Sequence, residues 1–269
     1  MSFSIAGKTA IVTGAANGVG LAIARHFVSQ GAHVMFADID EEKLAAEVDA
    51  ISTEDNQARF FAGDLRKKLT LANLLSATID EFDRVDILIN ASRQVLRSDP
   101  LNADDDAFGT LMDQNVTTPL RLSQMIAKRM IKQADSQDPS DAPIGSIVNL
   151  TSIAARRTHS DLMSFSIACA ALDQMTRSMA VALSEHRIRV NAVAIGSVMS
   201  ASLRDALREN GELRGQVTNA TPLGRIGEAD EVAEAVQYLA SDSAGFVTGQ
   251  VLTVDGGRTL LDPVATPSH

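Results

Sequence analysis

With 269 residues, 45% of them hydrophobic and 22% charged, the chain has the profile of an ordinary globule, long enough for one sizeable α/β core. A net charge of −10 and a pI of about 4.9 argue against a nucleic-acid or anionic-membrane surface. The single cysteine, Cys169, excludes an intramolecular disulfide and a cysteine-rich metal site, and no metal is expected.

In chain order, the first residues carry no basic region followed by a long apolar run, so no secretory signal is expected. No apolar stretch reaches membrane-spanning length, and the expected location is the cytoplasm. Thr9–Val12 is the first predicted strand. It runs into Gly14-Ala15-Ala16-Asn17-Gly18-Val19-Gly20, where glycines permit a sharp turn and close approach of a diphosphate to a helix N-terminus. A helix is predicted over Leu21–Gln30 with Gly31 as its C-terminal stop, then a strand over His33–Phe36. Asp38 lies eighteen residues beyond Gly20, where a carboxylate can accept hydrogen bonds from both adenosine ribose hydroxyls and repel a 2′-phosphate. NAD is therefore favoured over NADP. A helix over Glu41–Ile51, capped by Asp40, follows. Further strands are predicted at Val85–Ile89, Ser146–Leu150, Ile188–Asn191 and Val251–Val254. Their near-continuous apolar character suits burial on both faces. The Asp-, Ser- and Pro-rich stretch 133–143 reads as an exposed loop, and 262–269 as a loose tail. Alternating strands and helices predict an α/β fold, a parallel sheet with helices on both faces.

Beyond the glycine turn come Asp64-Leu65, Asp86-Ile87-Leu88-Ile89-Asn90, Asn115, Asn149-Leu150-Thr151-Ser152, Ile188-Arg189-Val190-Asn191, Thr221-Pro222-Leu223-Gly224-Arg225 and Val254-Asp255-Gly256-Gly257. On these motifs, which span nearly the whole chain, the sequence resembles a short-chain dehydrogenase/reductase of the 3-oxoacyl-carrier-protein reductase-like subfamily. The resemblance implies a single Rossmann-type doubly wound domain over 1–269, an NAD(H) site and a dimer or tetramer. It assigns Asp64 to the adenine amino group, Leu65 to a backbone contact beside it, and Asn90 to the neighbourhood of the adenosine ribose and the central sheet. Ser152 would orient a substrate carbonyl, Asn115 would hold a water in a proton relay, and the Val198 backbone would bond the nicotinamide carboxamide.

The family places a proton-donating Tyr thirteen residues beyond that Ser and a Lys four residues later. Here those positions hold Phe165 and Cys169. Phe keeps the ring and loses the proton, and Cys offers a weak S–H and no fixed charge. Tyr238 is the only tyrosine, and no Lys follows Lys132. Arg93 stands where the family's turn has Gly, and Ile195 where it has Pro. Arg93 could stabilise an oxyanion, bind a phosphate or simply face solvent, and His159 is a remote candidate acid. Cys169, without a base partner, reads as a small buried hydrophobe. The expectation is an NAD(H)-binding protein of oxidoreductase ancestry, impaired in carbonyl or alcohol hydride transfer. It would act as a sensor or as a partner subunit for an active homologue. The alternatives are an oxidoreductase that uses a non-standard acid or an acceptor needing only hydride, and a structural oligomer that binds no cofactor.

Overall fold

The computed structural model describes residues 3–51, 58–102, 104–135 and 142–262. Among them, seven strands form one parallel sheet: β1 (Thr9–Thr13), β2 (His33–Asp38), β3 (Ala58–Ala62), β4 (Ile87–Asn90), β5 (Gly145–Ser152), β6 (Ile188–Ile195) and β7 (Val251–Val254). The order is β3-β2-β1-β4-β5-β6-β7. The helices are α1 (Gly18–Ser29), α2 (Glu41–Ile51), α3 (Lys68–Phe82), α4 (Ala107–Met112), α5 (Thr118–Ala134), α6 (Met163–Leu183), α7 (Ala201–Glu209), α8 (Leu213–Asn219) and α9 (Ala229–Ala240).

Successive strand residues face opposite ways, and both faces are covered. Ala10, Val12, Val34, Phe36, Ile87 and Ile89 pack with Ile23 and Phe27 of α1, Leu44 of α2, and Val232 and Val236 of α9. Ile11, Met35 and Leu88 pack on the other face with Leu71 and Leu74 of α3, Ile126 and Met130 of α5, and Met179 of α6. Each fully buried side chain of this size contributes roughly 1.5–3 kcal/mol relative to exposure. This two-sided burial is why the central strands read as unbroken apolar runs.

The predicted elements are present with shifted ends. α2 spans the expected residues, and Asp40 caps it by accepting the Lys43 N–H at 3.2 Å. α1 begins earlier than its apolar pattern suggests, at Gly18, and stops at Ser29; Gln30 is its cap, and Gly31 follows at φ +81°. α5 continues through Gln133 and Ala134, which takes these two residues out of the expected loop; 136–141 lie outside the described residues, as do 263–269 of the expected tail. β3 is an edge strand that exposes Arg59 and Phe60, so its sequence does not read as a buried run.

The strand order reverses between β1 and β4, which opens a crevice beyond their carboxyl ends. α4 and α5 are joined by one π-helical turn, Asp113–Thr117, which places Asn115 near that crevice. On α6 the buried stripe includes Phe165, Ala168, Cys169, Leu172 and Thr176, so Phe165 and Cys169 share one face at helical spacing. No helix of the described residues is long and apolar enough to cross a membrane.

Candidate functional site

The crevice is built from two loops in direct contact. At the end of β1, Thr13 Oγ1 accepts the N–H groups of Ala91 and Ser92 from the loop after β4, both at 3.1 Å. Gly14 takes φ +70°, and a Cβ there would meet Ser92 Cα at 2.8 Å. A Cβ on Gly20 would lie 2.1 Å from the Gly14 carbonyl oxygen. The cradle therefore exists only without side chains at these positions. α1 starts at Gly18 with no acid in its first turn, and Asn17 makes no side-chain cap, so helix N–H groups are left for an anion. A groove of about 460 Å³ runs along Ala16, Asn17 and Gly18, with Arg25, Met199 and Arg204 also on its walls. Val19 is buried behind it. Asp38, at the end of β2, faces the same turn. Its Oδ2 accepts the Ala16 N–H at 3.1 Å and its Oδ1 the Ile39 N–H at 2.7 Å. These residues fit the adenosine diphosphate half of a nicotinamide dinucleotide.

Further along, Leu65 is buried, and the Asp64 carboxylate is clasped by Arg66 through two 2.9 Å bonds. That clasp holds the Asp64 carboxyl below its ordinary range. The Asn90 amide lies in the central sheet, donating to Asn149 Oδ1 at 2.8 Å and Ser123 Oγ at 3.0 Å. Asn115 grips the loop after β4, accepting the Gln94 N–H at 2.9 Å and donating to the Gln94 carbonyl at 2.8 Å. Ser152 ends β5 half-buried, and its Oγ accepts the Ala154 N–H at 3.2 Å. The Val198 N–H donates to the Gly196 carbonyl at 2.9 Å, and its own carbonyl accepts the Ser200 N–H at 2.7 Å. Val198 borders a cleft of about 610 Å³ beside β7.

Phe165 is buried against Leu111, Ala154, Ala168 and Cys169. Burial pushes the Cys169 thiol up to about 11, with the charge of Arg93 pulling the other way. The thiol is thus neutral near pH 7 and a poor nucleophile. Native protein is expected to react with iodoacetamide at pH 7.5 many-fold more slowly than the unfolded chain; equal rates in both states would contradict this burial.

Arg93 is half-buried, and desolvation lowers its guanidinium from the ordinary range. It lines a small cavity of about 10 Å³ together with Asn90, Asn115, Phe165 and Cys169. His159 is exposed, and its Nδ1 accepts the Asp161 N–H at 3.2 Å, so it serves as a turn cap. Tyr238 sits on α9 beside Phe3, ring centroids 6.0 Å apart, and packs on the sheet face opposite α5. Gly196, the residue after Ile195, has a structural reason, because a Cβ there would lie 2.5 Å from Asp255 Cβ. Sequence reasoning did not single out the Thr13 hydroxyl, Arg204 or the proximity of Arg93 to Cys169. The position of Thr13 at a strand end before the first glycine was a readable signal, and the other two are tertiary.

The chain is similar to known proteins over nearly its whole length. A family model described as enoyl-(acyl carrier protein) reductase matches residues 14–259. An uncharacterized oxidoreductase of Thermotoga maritima is 34% identical over 258 residues, covering 95% of this chain and 98% of that protein. A solved 7α-hydroxysteroid dehydrogenase, complexed with NADH and 7-oxo glycochenodeoxycholic acid, superimposes with a TM-score of 0.85 at 32% identity, covering 95% of each chain. A gluconate 5-dehydrogenase from Burkholderia cenocepacia, in complex with NADP and tartrate, gives a TM-score of 0.86 at 27% identity, covering 97% of this chain and 98% of that one. The chain belongs to the short-chain dehydrogenase/reductase family.

Proposed function

We propose that this protein binds NAD(H) in the crevice between β1 and β4 and is impaired in hydride transfer to and from ordinary carbonyls and alcohols. It would act as a sensor of cofactor state or as a partner subunit for an active relative. One observation carries the impairment: the α6 face that borders the site offers Phe165, with no proton to give, and Cys169, whose thiol is held neutral by burial. The bound dinucleotide supplies or accepts a hydride. The chain's own part is to seat the diphosphate on the glycine turn and the α1 N-terminus, to hold the adenosine ribose at Asp38, and to present Ser152 at the end of β5. Asn115 keeps the intervening loop in place.

A titration of NADH fluorescence followed by a panel of ketones and quinones tests the reading. Binding without turnover is the expected result. Steady oxidation of NADH would favour the second reading, an active oxidoreductase whose acceptor needs only hydride, which the presence of Ser152, Asn115 and the glycine cradle supports. Absence of binding at millimolar cofactor would leave a structural oligomer.

The preference for NAD(H) rests on Asp38. A 2′-phosphate would approach its carboxylate, and the neighbouring cation, Lys43, is paired with Asp40. Asp38→Ser is expected to improve NADPH binding relative to NADH by tenfold or more, because one repelling charge is removed and one ribose acceptor lost. An unchanged ratio would remove Asp38 from cofactor choice. Self-association is proposed through α6, whose outer side leaves Met163, Ile167 and Val181 exposed, and through α9. Light scattering of the purified chain is expected to give a dimer or tetramer.

A further inference from the structure

Arg93 is a half-buried cation beside Phe165 and Cys169. It reaches from the loop after β4 toward α6, into the cavity it shares with Asn90, Asn115, Phe165 and Cys169. No carboxylate lines that cavity. The polar neighbours are committed elsewhere: Asn115 to the Gln94 backbone, Asn90 to Asn149 and Ser123, and Ser92 Oγ to the side-chain amide of Gln114. Asp173, one turn along α6, acts on Cys169 but not on Arg93. A half-buried cation with no carboxylate beside it in this cavity is free to meet the oxygens of a ligand. The room for the guanidinium exists because position 169 carries a short thiol. With about 10 Å³ left over, a long side chain there and Arg93 could not both fit.

We propose that Arg93 supplies the fixed positive charge of the reaction centre, delivered from the β4 loop into the space that Cys169 leaves open, and that it holds the oxygens at the nicotinamide half of a bound dinucleotide. The proposal rests on the NAD(H) reading above. It makes Arg93 and Cys169 a coupled pair: the cation has moved from one wall of the site to the other, and its position depends on the thiol being small.

Binding of NADH and of ADP, together with thermal melting, is measured on the wild type and on Arg93→Met, Arg93→Lys, Cys169→Lys and the double variant Arg93→Met/Cys169→Lys. Arg93→Met is expected to weaken NADH about tenfold or more while leaving ADP, which lacks the nicotinamide half, within about twofold. Arg93→Lys recovers most of that loss. Cys169→Lys alone weakens NADH and lowers the melting temperature by roughly 3 °C or more, because two cations are forced into one cavity. In the Arg93→Met background the same lysine restores NADH binding and costs little stability. The proposal is overturned if Arg93→Met leaves NADH binding unchanged or tightens it, the latter marking Arg93 as a plug. Equal harm from Cys169→Lys in both backgrounds also overturns it. If the wild type binds NADH and Arg93→Met binds it equally well, the inference about Arg93 fails alone; if the wild type does not bind NADH, the NAD(H) reading fails with it.

Discussion

Phe165→Tyr is expected to raise NADH-dependent reduction of a ketone panel by roughly 10²- to 10⁴-fold, the range a positioned general acid supplies. The substitution keeps the ring and adds one hydroxyl. Phe165 borders a cavity of about 10 Å³, room for about one water-sized group, so a hydroxyl can enter without repacking α6. Hydride addition leaves negative charge on the carbonyl oxygen. The new O–H would donate to it beside Ser152, and Arg93 would lower the cost of ionising the phenol. The single variant therefore comes before Phe165→Tyr/Cys169→Lys, because the lysine would crowd Arg93. If Phe165→Tyr binds NADH as the wild type does and stays silent on every ketone, the missing proton is not the obstacle. The block would then lie at Arg93 or Ile195. If the wild type already reduces ketones at the variant's rate, some other group supplies the proton, and the reading of Phe165 as a lost acid fails.

Much of this was readable from the chain because the central strands are buried on both faces. Ile11-Val12 and Leu88-Ile89 alternate between two cores and still read as continuous apolar runs. Asp40 and Glu41 announced the start of α2 through ordinary capping chemistry. The glycine turn was legible for a different reason, since Gly14 and Gly20 answer to backbone contacts that any side chain would break. The misses have causes too. β3 lies at the sheet edge, where Arg59 and Phe60 meet solvent and no two-sided burial shapes the sequence. The apolar pattern starts α1 later than Gly18 because Gly18 and Gly20 are poor helix formers, kept for the cradle and not for propensity. The neighbourhood of Arg93 was open between solvent and site because nothing local to a β-strand loop says which way a long side chain turns. Its place beside Cys169 arises because the loop after β4 and helix α6, far apart in sequence, line one cavity. Asp64 is an intermediate case: its clasp by Arg66, two residues on, is local, yet the resemblance drew attention to adenine instead.

Gly20→Ala is expected to abolish NADH binding and to lower stability by about 2–3 kcal/mol, a fall in melting temperature of roughly 4–12 °C. Two effects oppose each other at this position. Gly20 lies in the first turn of α1, where Ala is the better helix former by about 1 kcal/mol. Against that, the added Cβ would sit 2.1 Å from the Gly14 carbonyl oxygen and 3.2 Å from that of Thr13. Both obstacles are backbone, so no rotamer change relieves them. The loop must move, and moving it pulls Gly14 off Ser92 and disturbs the bonds from Ala91 and Ser92 to Thr13 Oγ1. The clash outweighs the propensity gain, and the loss falls on the surface where the diphosphate would rest. Gly109 is the matched control. It is exposed within α4, and a Cβ there meets nothing within 4 Å, so only the propensity gain is left. Gly109→Ala should therefore stabilise by about 0.5–1 kcal/mol and leave NADH binding unchanged. If both substitutions behaved alike, the cradle would not be the tight backbone contact that the β1–β4 crevice requires, and the cofactor site would have to lie elsewhere in the molecule.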